Sequence, residues 1–379
     1  MNKVYSVKCS DYSAKKVNTA LASLLEENGL LDFIKEGMTI GIKANLVSFM
    51  KPEAAATTHP QVLKTLCRLI TTRGAKVIIG DSPGGLYTPA FVNRVYAATG
   101  MRELEEDGVS LNGNYSQNTA DFPEAAVAKT FQYTAWLDEC DAVINFCKLK
   151  SHGMMGMSAA VKNTFGIIPG TIKPEYHFRY SNPEDFARMI VDLNLYLKPA
   201  LTICDAVVGM EGNGPTAGTP KDIGLLLASP SPYCLDLLCA HIIGLDTKDI
   251  PTIGASIERG LCPDSIQGLE ICGEYHTVED FKNIEVHNSL LFKGKGGVLH
   301  TVMGNTLHSL LSSRPVLKAA DCVGCKECYR ICPAKAIVMK NGKPQINRKK
   351  CIRCFCCQEF CPKGALKAHR TPIARLLNK

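Results

Sequence analysis

The chain has 379 residues, of which 46% are hydrophobic and 21% are charged, and its formal net charge is +7. These proportions are ordinary for a globular protein, and the length allows two or three domains. No apolar run reaches the roughly 18 residues that a membrane span requires. The first residues also lack the apolar core of a signal peptide. We therefore expect a cytoplasmic protein without a membrane partner.

Residues 1–272 alternate short apolar runs with patterns of helical period. The predicted strands are 4–7, 38–42, 75–79, 141–146, 201–206 and 223–228. The predicted helices are 15–28, 59–72 and 89–106. Apolar strands separated by helices predict an α/β domain with a mostly parallel sheet.

Two further segments follow this domain. Residues 273–314 form a predicted connecting region, with a helix expected over 299–312. Residues 315–379 are rich in cysteine and predict a second, small α+β domain. Within it, an Asn-Gly pair at 341–342 separates two short strand-like runs, which is the strongest local signal for a hairpin.

Polar side chains follow several of the predicted strands. In an open α/β sheet, ligands bind beyond the carboxyl ends of the strands. The candidates are Lys43, Asn45, Asp81, Ser82, Lys148, Lys150, His152, Asp205, Glu211 and Asn213, with Lys162 in the segment after a glycine-rich stretch. Each has a simpler interpretation: Asp81 as a helix cap, Lys148 and Lys150 as a solvated face, His152 as a structural histidine. No dinucleotide or Walker motif is present, so the prediction of a site depends on the whole set.

Five segments carry a family resemblance. They are KANL at 43–46, GDSPG at 80–84, KLKSH at 148–152, VKNTFG at 161–166 and DA through GP at 205–215. In this order they resemble the family catalogued as domain of unknown function 362. The resemblance implies the α/β fold and a fusion to a two-cluster ferredoxin module, but no reaction. Cys147 departs from the family, in which a proline is expected before the Lys-Leu-Lys run.

The C-terminal segment contains two cysteine runs of the same spacing. Each reads C-x2-C-x2-C-x3-C-P, through Cys322, Cys325, Cys328 and Cys332 and then through Cys351, Cys354, Cys357 and Cys361. This run holds 4Fe-4S clusters in bacterial ferredoxins, where the fourth cysteine ligates the other cluster. The predicted cofactors are therefore two 4Fe-4S clusters. One takes Cys322, Cys325, Cys328 and Cys361, and the other takes Cys332, Cys351, Cys354 and Cys357.

Two alternatives apply to these cysteines. A structural zinc site uses four ligands for each metal ion, which fits triple C-x2-C-x2-C runs poorly. Cys356 lies between two predicted ligands without disturbing their spacing, and we expect it to be a free thiol.

The positive charge is concentrated near the C-terminus. Residues 314–379 contain 16 Lys or Arg and 3 Asp or Glu, a balance of +13, so the rest of the chain has a balance of −6. This charge raises a cluster's reduction potential and favours docking of an acidic redox partner protein. A solvated basic surface is the simpler interpretation. Aromatic residues are sparse between the basic ones, which disfavours nucleic-acid binding.

The leading hypothesis is a ferredoxin-type protein that feeds electrons to the reduction of a small anionic substrate or cofactor in the α/β domain. Lys43, Asn45, Lys148, Lys150 and Lys162 bind the anion in this hypothesis, and His152 or Asp81 transfers protons. A first alternative is a non-enzymatic adaptor between redox proteins, which predicts a cleft filled by side chains. A second is a basic nucleic-acid binder whose clusters are structural.

Overall fold

The structure is a computed structural model that describes residues 2–283 and 314–369. Its first range contains strands β1 (Lys3–Lys8), β2 (Thr39–Lys43), β3 (Lys76–Gly80), β4 (Val109–Leu111), β5 (Gln117–Asp121), β6 (Thr130–Thr134), β7 (Ala142–His152), β8 (Gly156–Ser158), β9 (Leu201–Glu211), β10 (Thr219–Ser229) and β11 (Glu270–Gly273). The helices of this range are α1 (Ala14–Leu25), α2 (Pro60–Thr71), α3 (Pro89–Ala98), α4 (Ala160–Asn163), α5 (Lys173–Arg179), α6 (Pro183–Leu197), α7 (Pro232–Ile242) and α8 (Pro251–Glu258).

One large sheet organises this part of the chain. Its strand order is β11-β1-β10-β9-β7-β2-β3-β4, with β8 paired to β7. The pairs from β9 through β7, β2 and β3 to β4 are parallel, whereas β10 is antiparallel to both β9 and β1. Strands β5 and β6 form a separate hairpin. The predicted α/β fold with a mostly parallel sheet is confirmed.

Apolar side chains fill both faces of the sheet. Along β7, Ile144 and Phe146 belong to the core that α1, α2 and α3 cover, and Val143 and Leu149 belong to the core beneath α4, α6, α7 and α8. A strand buried on both faces reads as a continuous apolar run, which explains why the sequence pattern revealed it. Helices α2 and α6 begin with proline at their first position, where no backbone N–H donor is needed.

The second range forms the small C-terminal module. It contains β12 (Arg314–Leu317), β13 (Ile337–Lys340), β14 (Lys343–Ile346) and β15 (Leu366–His369), with helices α9 (Glu327–Arg330) and α10 (Cys356–Glu359). The predicted hairpin is confirmed as β13 and β14, and Asn341 and Gly342 both take positive φ in its turn. Strand β12 pairs with β15, so the two ends of the module meet.

Several predicted boundaries differ from the structure. Strand β7 runs on to His152 and β9 to Glu211, so Lys148, Lys150 and His152 lie within a strand and not after it. The predicted helix 89–106 is wrong beyond Ala98, because Gly100 takes a φ of 74° and a 3-10 turn follows. The helix predicted over 299–312 and the end of the predicted second domain, 370–379, lie outside the described residues.

The helices of residues 2–283 and 314–369 include none that is long and apolar enough to cross a membrane.

Candidate functional site

A cavity of about 70 Å³ lies at the carboxyl edge of the parallel strands. Strands β2, β3 and β7 end beside it, α4 and α5 close one side, and residues of the C-terminal module close another. Its lining includes Lys43, Asn45, Asp81, Ser82, Lys150, His152, Lys162, Asn163, Phe165, Lys173, His177, Glu359 and Phe360. The basic side chains in this lining are four lysines and two histidines.

Lys43 and Asp81 form a buried ion pair at the base of the cavity. Lys43 Nζ lies 2.8 Å from Asp81 Oδ1 and donates to Asn163 Oδ1 at 3.0 Å, and both ionic side chains are at most 4% exposed. The other carboxylate oxygen of Asp81 accepts from the Leu46 N–H at 2.8 Å. Gly166 permits this arrangement, because a Cβ there would lie 2.3 Å from Asp81 Oδ1. The charges of Lys43 and Asp81 therefore face each other, although Asp81 Oδ1 has no hydrogen-bond partner of good geometry among the described residues.

Lys150 is held by two acceptors of the protein. Its Nζ donates to Asn45 Oδ1 at 2.6 Å and to the Ala56 carbonyl at 2.7 Å. An ammonium has three N–H donors, so one donor is left for the cavity. Burial, with the nearby charge of Lys162, lowers the pKa of Lys150 to about 7. Near neutral pH this lysine therefore exchanges a proton readily.

Lys162 and Lys173 face the same aromatic ring. Their Nζ atoms lie 4.9 Å and 5.6 Å from the centre of the Phe165 ring, a cation–π distance. Lys173 also donates to the Ser82 carbonyl, whereas Lys162 has no hydrogen bond or ion pair within residues 2–283 and 314–369. Burial lowers the pKa of both lysines, that of Lys173 to about 7.

His152 is locked in one tautomer. Its Nδ1 accepts from the N–H groups of Met154 and Met155, both at 3.2 Å, so the ring proton is assigned to Nε2. Nε2 lies 2.7 Å from Glu359 Oε1. Burial, with the charge of Lys162, lowers the pKa of His152. The imidazole is therefore neutral and cannot accept a proton at Nδ1 without losing both backbone bonds.

Glu359, whose side chain is 16% exposed, is the second carboxylate of the cavity. Burial acts to raise its pKa, but His152, Lys162 and His177 outweigh burial and bring the pKa well below the usual range. Its contact with His152 is short without being a well-formed hydrogen bond, because neither Glu359 Oε1 nor His152 Nε2 has a hydrogen-bond partner of good geometry among the described residues.

His177 is a third polar group of the cavity that has a ring nitrogen without a hydrogen-bond partner among the described residues. It is 1% exposed, its ring stacks on Phe186 at 4.4 Å, and its Nδ1 has no hydrogen-bond partner in the part of the chain that the structure describes. Burial lowers its pKa to about 3, so the ring is neutral. A buried ring nitrogen without a partner beside two lysines is a feature expected of a binding site.

Lys148 lies outside the cavity, although it is two residues from Lys150. Its Nζ lies 2.9 Å from Asp205 Oδ2 and 2.6 Å from the Tyr12 hydroxyl, and all of these atoms are buried or nearly so. The register of β7 and β9 shifts between Lys148 and Lys150, which separates the two lysines. Cys147 is fully buried on the opposite face, in the core. Asp205, Glu211 and Asn213 are also absent from the cavity lining.

The eight predicted ligand cysteines surround two smaller cavities of about 20 Å³ each. Cys322, Cys325, Cys328 and Cys361 line one, and Cys332, Cys351, Cys354 and Cys357 line the other. The thiols stand around each cavity instead of converging on one point: within the described ranges, no three metal-binding side chains approach closely enough to share a single ion. Four separated thiols around a space fit a cubane cluster, in which each iron takes one thiolate.

Helix α10 joins these cavities to the lysine-lined one. Gln358 is fully buried, and its Nε2 donates to the carbonyls of Asn213 and Gly214, both at 3.1 Å. A Cβ at Gly84 would lie 3.2 Å from the Phe360 ring. Glu359 and Phe360, which stand between Cys357 and Cys361 in the chain, therefore form a wall of the lysine-lined cavity.

The cavity brings together seven of the predicted site residues: Lys43, Asn45, Asp81, Ser82, Lys150, His152 and Lys162. Sequence reasoning missed Lys173, His177, Asn163 and Glu359. Lys173 and His177 lie on a short helix that follows no predicted strand, so no positional rule selects them. The sequence did offer a signal for Glu359, because it is one of only three acidic residues in the basic segment 314–379, and it lies between two predicted ligand cysteines, as Glu327 also does.

Two protein families match separate parts of this chain. Residues 40–241 match the family described as Domain of unknown function (DUF362), and residues 314–362 match the 4Fe-4S dicluster domain. A thylakoid-associated protein of Synechocystis sp. is 32% identical over 265 residues, which cover 69% of this chain and 80% of that protein.

Solved structures show weaker similarity. The lactate racemase apoprotein from Thermoanaerobacterium thermosaccharolyticum has a TM-score of 0.38 and 13% identity, over 63% of this chain and 56% of that one. A Thermotoga maritima protein has a TM-score of 0.35 and 12% identity, over 57% of this chain and 56% of that one. This chain thus spans just over half of each of them.

Proposed function

The chain belongs to the DUF362 family and carries a 4Fe-4S dicluster domain, and we propose that it reduces a small anion held in the lysine-lined cavity. One observation carries this proposal: Glu359 and Phe360, flanked by cluster-type cysteines, form part of the cavity wall. An electron leaving the C-terminal module therefore has a short path to a molecule in the cavity. The reduction consumes two electrons, which come from an external redox partner protein, and two protons.

The C-terminal module would hold two clusters in the crossed arrangement. Cys322, Cys325, Cys328 and Cys361 would ligate one, and Cys332, Cys351, Cys354 and Cys357 the other. The grouping of these thiols around two separate cavities supports this assignment. When bound, such clusters supply electrons one at a time. Cys356 is fully buried beside the second group and stays a free thiol in this assignment.

The lysines have different roles in this proposal. Lys43 is neutralised by Asp81, and its part is to hold the base of the cavity. Lys162 and Lys173 attract the anion, since their charges lack carboxylate partners at ion-pair distance among the described residues. Lys148 has no part in binding, because Asp205 and Tyr12 occupy its ammonium.

Lys150 is the proton donor that the geometry favours. Its pKa of about 7 suits a general acid at neutral pH, and one of its N–H groups is unused by protein acceptors. Asp81 is a poor candidate because its two carboxylate oxygens face Lys43 Nζ and the Leu46 N–H. His152 is also a poor donor, because the bonds to its Nδ1 prevent formation of the imidazolium. Lys150 would be reprotonated from solvent after each transfer.

The adaptor hypothesis predicts a cleft filled by side chains, and the open, lysine-lined space argues against it. Anaerobic purification followed by mass spectrometry of molecules released on denaturation tests the choice between enzyme and adaptor. We expect a co-purifying anion in wild-type protein and its loss in Lys162→Met. Protein with intact clusters that releases no anion, and binds none that is added, would contradict the proposal.

A further inference from the structure

The charges around the cavity do not balance. Lys43, Lys150, Lys162 and Lys173 face two carboxylates, Asp81 and Glu359, and both histidines are neutral. With all four lysines protonated, two positive charges lack a counter-charge. Buried charge without a partner is unfavourable, so a ligand that supplies two negative charges would stabilise the protonated site.

The unbalanced charge lies at one end of the cavity. Lys43 and Lys150 use most of their donors on protein acceptors, as their hydrogen bonds to Asn163, Asn45 and Ala56 show. Lys162 and Lys173 instead face the Phe165 ring, and the cavity offers them no carboxylate at ion-pair distance within the described ranges. The positive charge is therefore greatest where α4, α5 and the Phe165 ring meet.

His177 adds a directed polar group to this end of the cavity. The ring lies 5.4 Å from the Phe165 ring, on α5 with Lys173. Its Nδ1 is buried and has no partner in the part of the chain that the structure describes. Two ammonium groups and one imidazole around a single aromatic ring form a compact set of donors for one oxyanion group.

The volume of the cavity and the lysines in its lining are compatible with a bound phosphate group. A cavity of about 70 Å³ has room for roughly five water molecules, each of which needs about 10–15 Å³. A five-atom tetrahedral group fits within this space. Lysine binds phosphate as a point charge, so a lining whose cations are lysines is compatible with a phosphate group.

We propose that Lys162, Lys173 and His177 form a binding site for a phosphate dianion. The bound group is the phosphate of a monoester, whose remaining atoms lie toward Lys150 and His152, and free inorganic phosphate would occupy the same site without being reduced. This inference rests on the proposed function, since it names the anionic group by which the substrate is held. The phosphate itself undergoes no chemistry, and the reduced bond lies elsewhere in the substrate.

Isothermal titration calorimetry on the full-length, cluster-loaded protein in phosphate-free buffer tests this site. The probes are inorganic phosphate, glycerol phosphate and malonate. The variants are Lys162→Met and Lys173→Met, with Lys15→Met, an exposed lysine of α1, as the matched control. We expect each cavity variant to weaken phosphate binding about 10- to 100-fold, the effect of losing a hydrogen bond to a charged group, and the control to leave it unchanged.

The outcomes separate this inference from the proposed function. Tighter binding of glycerol phosphate supports a phosphorylated substrate, whereas binding of inorganic phosphate alone supports the site but contradicts the proposed reduction, because free phosphate offers no bond to reduce. Phosphate binding that survives both cavity substitutions overturns the assigned site. Binding of malonate without phosphate overturns the ligand class but leaves the proposed reduction standing, and binding of no probe contradicts both. Loss of folding is not expected in Lys162→Met, because the substitution removes a buried charge that has no ion pair with any residue the structure describes.

Discussion

The buried state of Lys173 makes stability depend on pH in a defined direction. Burial lowers its pKa from 10.5 to about 7, with Asp81 opposing and Lys43 and Lys162 adding to the shift. Between these values the unfolded chain binds a proton that the folded protein has released. Stability therefore rises with pH across this window, by about 1.4 kcal/mol for each pH unit. At pH 7 half of the folded molecules still carry the proton, so from pH 7 to pH 9 the contribution is about 2 kcal/mol.

The Lys173→Met variant isolates this contribution. A chain of 379 residues has an unfolding entropy near 0.8 kcal/mol/K, so about 2 kcal/mol corresponds to about 3 °C in melting temperature. Circular dichroism melts in phosphate-free buffer at pH 7, 8 and 9 should show the wild-type Tm rising by about 3 °C relative to the variant. Lys15→Met should follow the wild type. Parallel curves for wild type and Lys173→Met would refute the assignment of a lowered pKa to this lysine.

Two further predictions concern other residues of the cavity and the module. Lys43→Met should lower the free energy of unfolding by about 3–5 kcal/mol, because it leaves the buried Asp81 carboxylate unpaired, whereas Lys162→Met should not. Thermal melts of the two variants compare these effects, and equal losses of stability would contradict the different roles of the two lysines. Cys354→Ala should reduce the iron bound per chain and Cys356→Ala should not, as measured by iron and sulfide analysis of anaerobically purified protein; an equal loss in both would make Cys356 a ligand.

The sequence predicted the fold well where a short apolar run or a turn pair is typical of only one kind of structure. The apolar runs at 38–42, 75–79 and 141–146 became adjacent parallel strands. The Asn-Gly pair at 341–342 became the expected hairpin turn. The carboxyl end of β7 was not predicted, because Lys148, Lys150 and His152 look like a polar loop. They are tolerated in a buried strand because each meets a specific partner, such as Asp205 for Lys148.

The candidate site was only partly predictable for a related reason. Residues that follow strands are found by a positional rule, and this rule gave Lys43, Asp81 and Lys150. Lys173 comes from a short helix, and Glu359 comes from the cysteine-rich module about 200 residues further along the chain. Only the packing of α10 against the carbonyls of Asn213 and Gly214 brings Glu359 to the cavity, and no spacing in the sequence encodes that contact.

The central claim is that electrons held by the C-terminal module reach a molecule in the lysine-lined cavity. A single-turnover experiment tests it most directly. Cluster-loaded protein is reduced anaerobically, freed of reductant, and mixed with the anion recovered from purified protein, while cluster absorbance and the mass of the anion are followed together. We expect the clusters to reoxidise while the anion gains two hydrogen atoms, and we expect Lys162→Met to slow both. Clusters that stay reduced in the presence of bound, unchanged anion would contradict it.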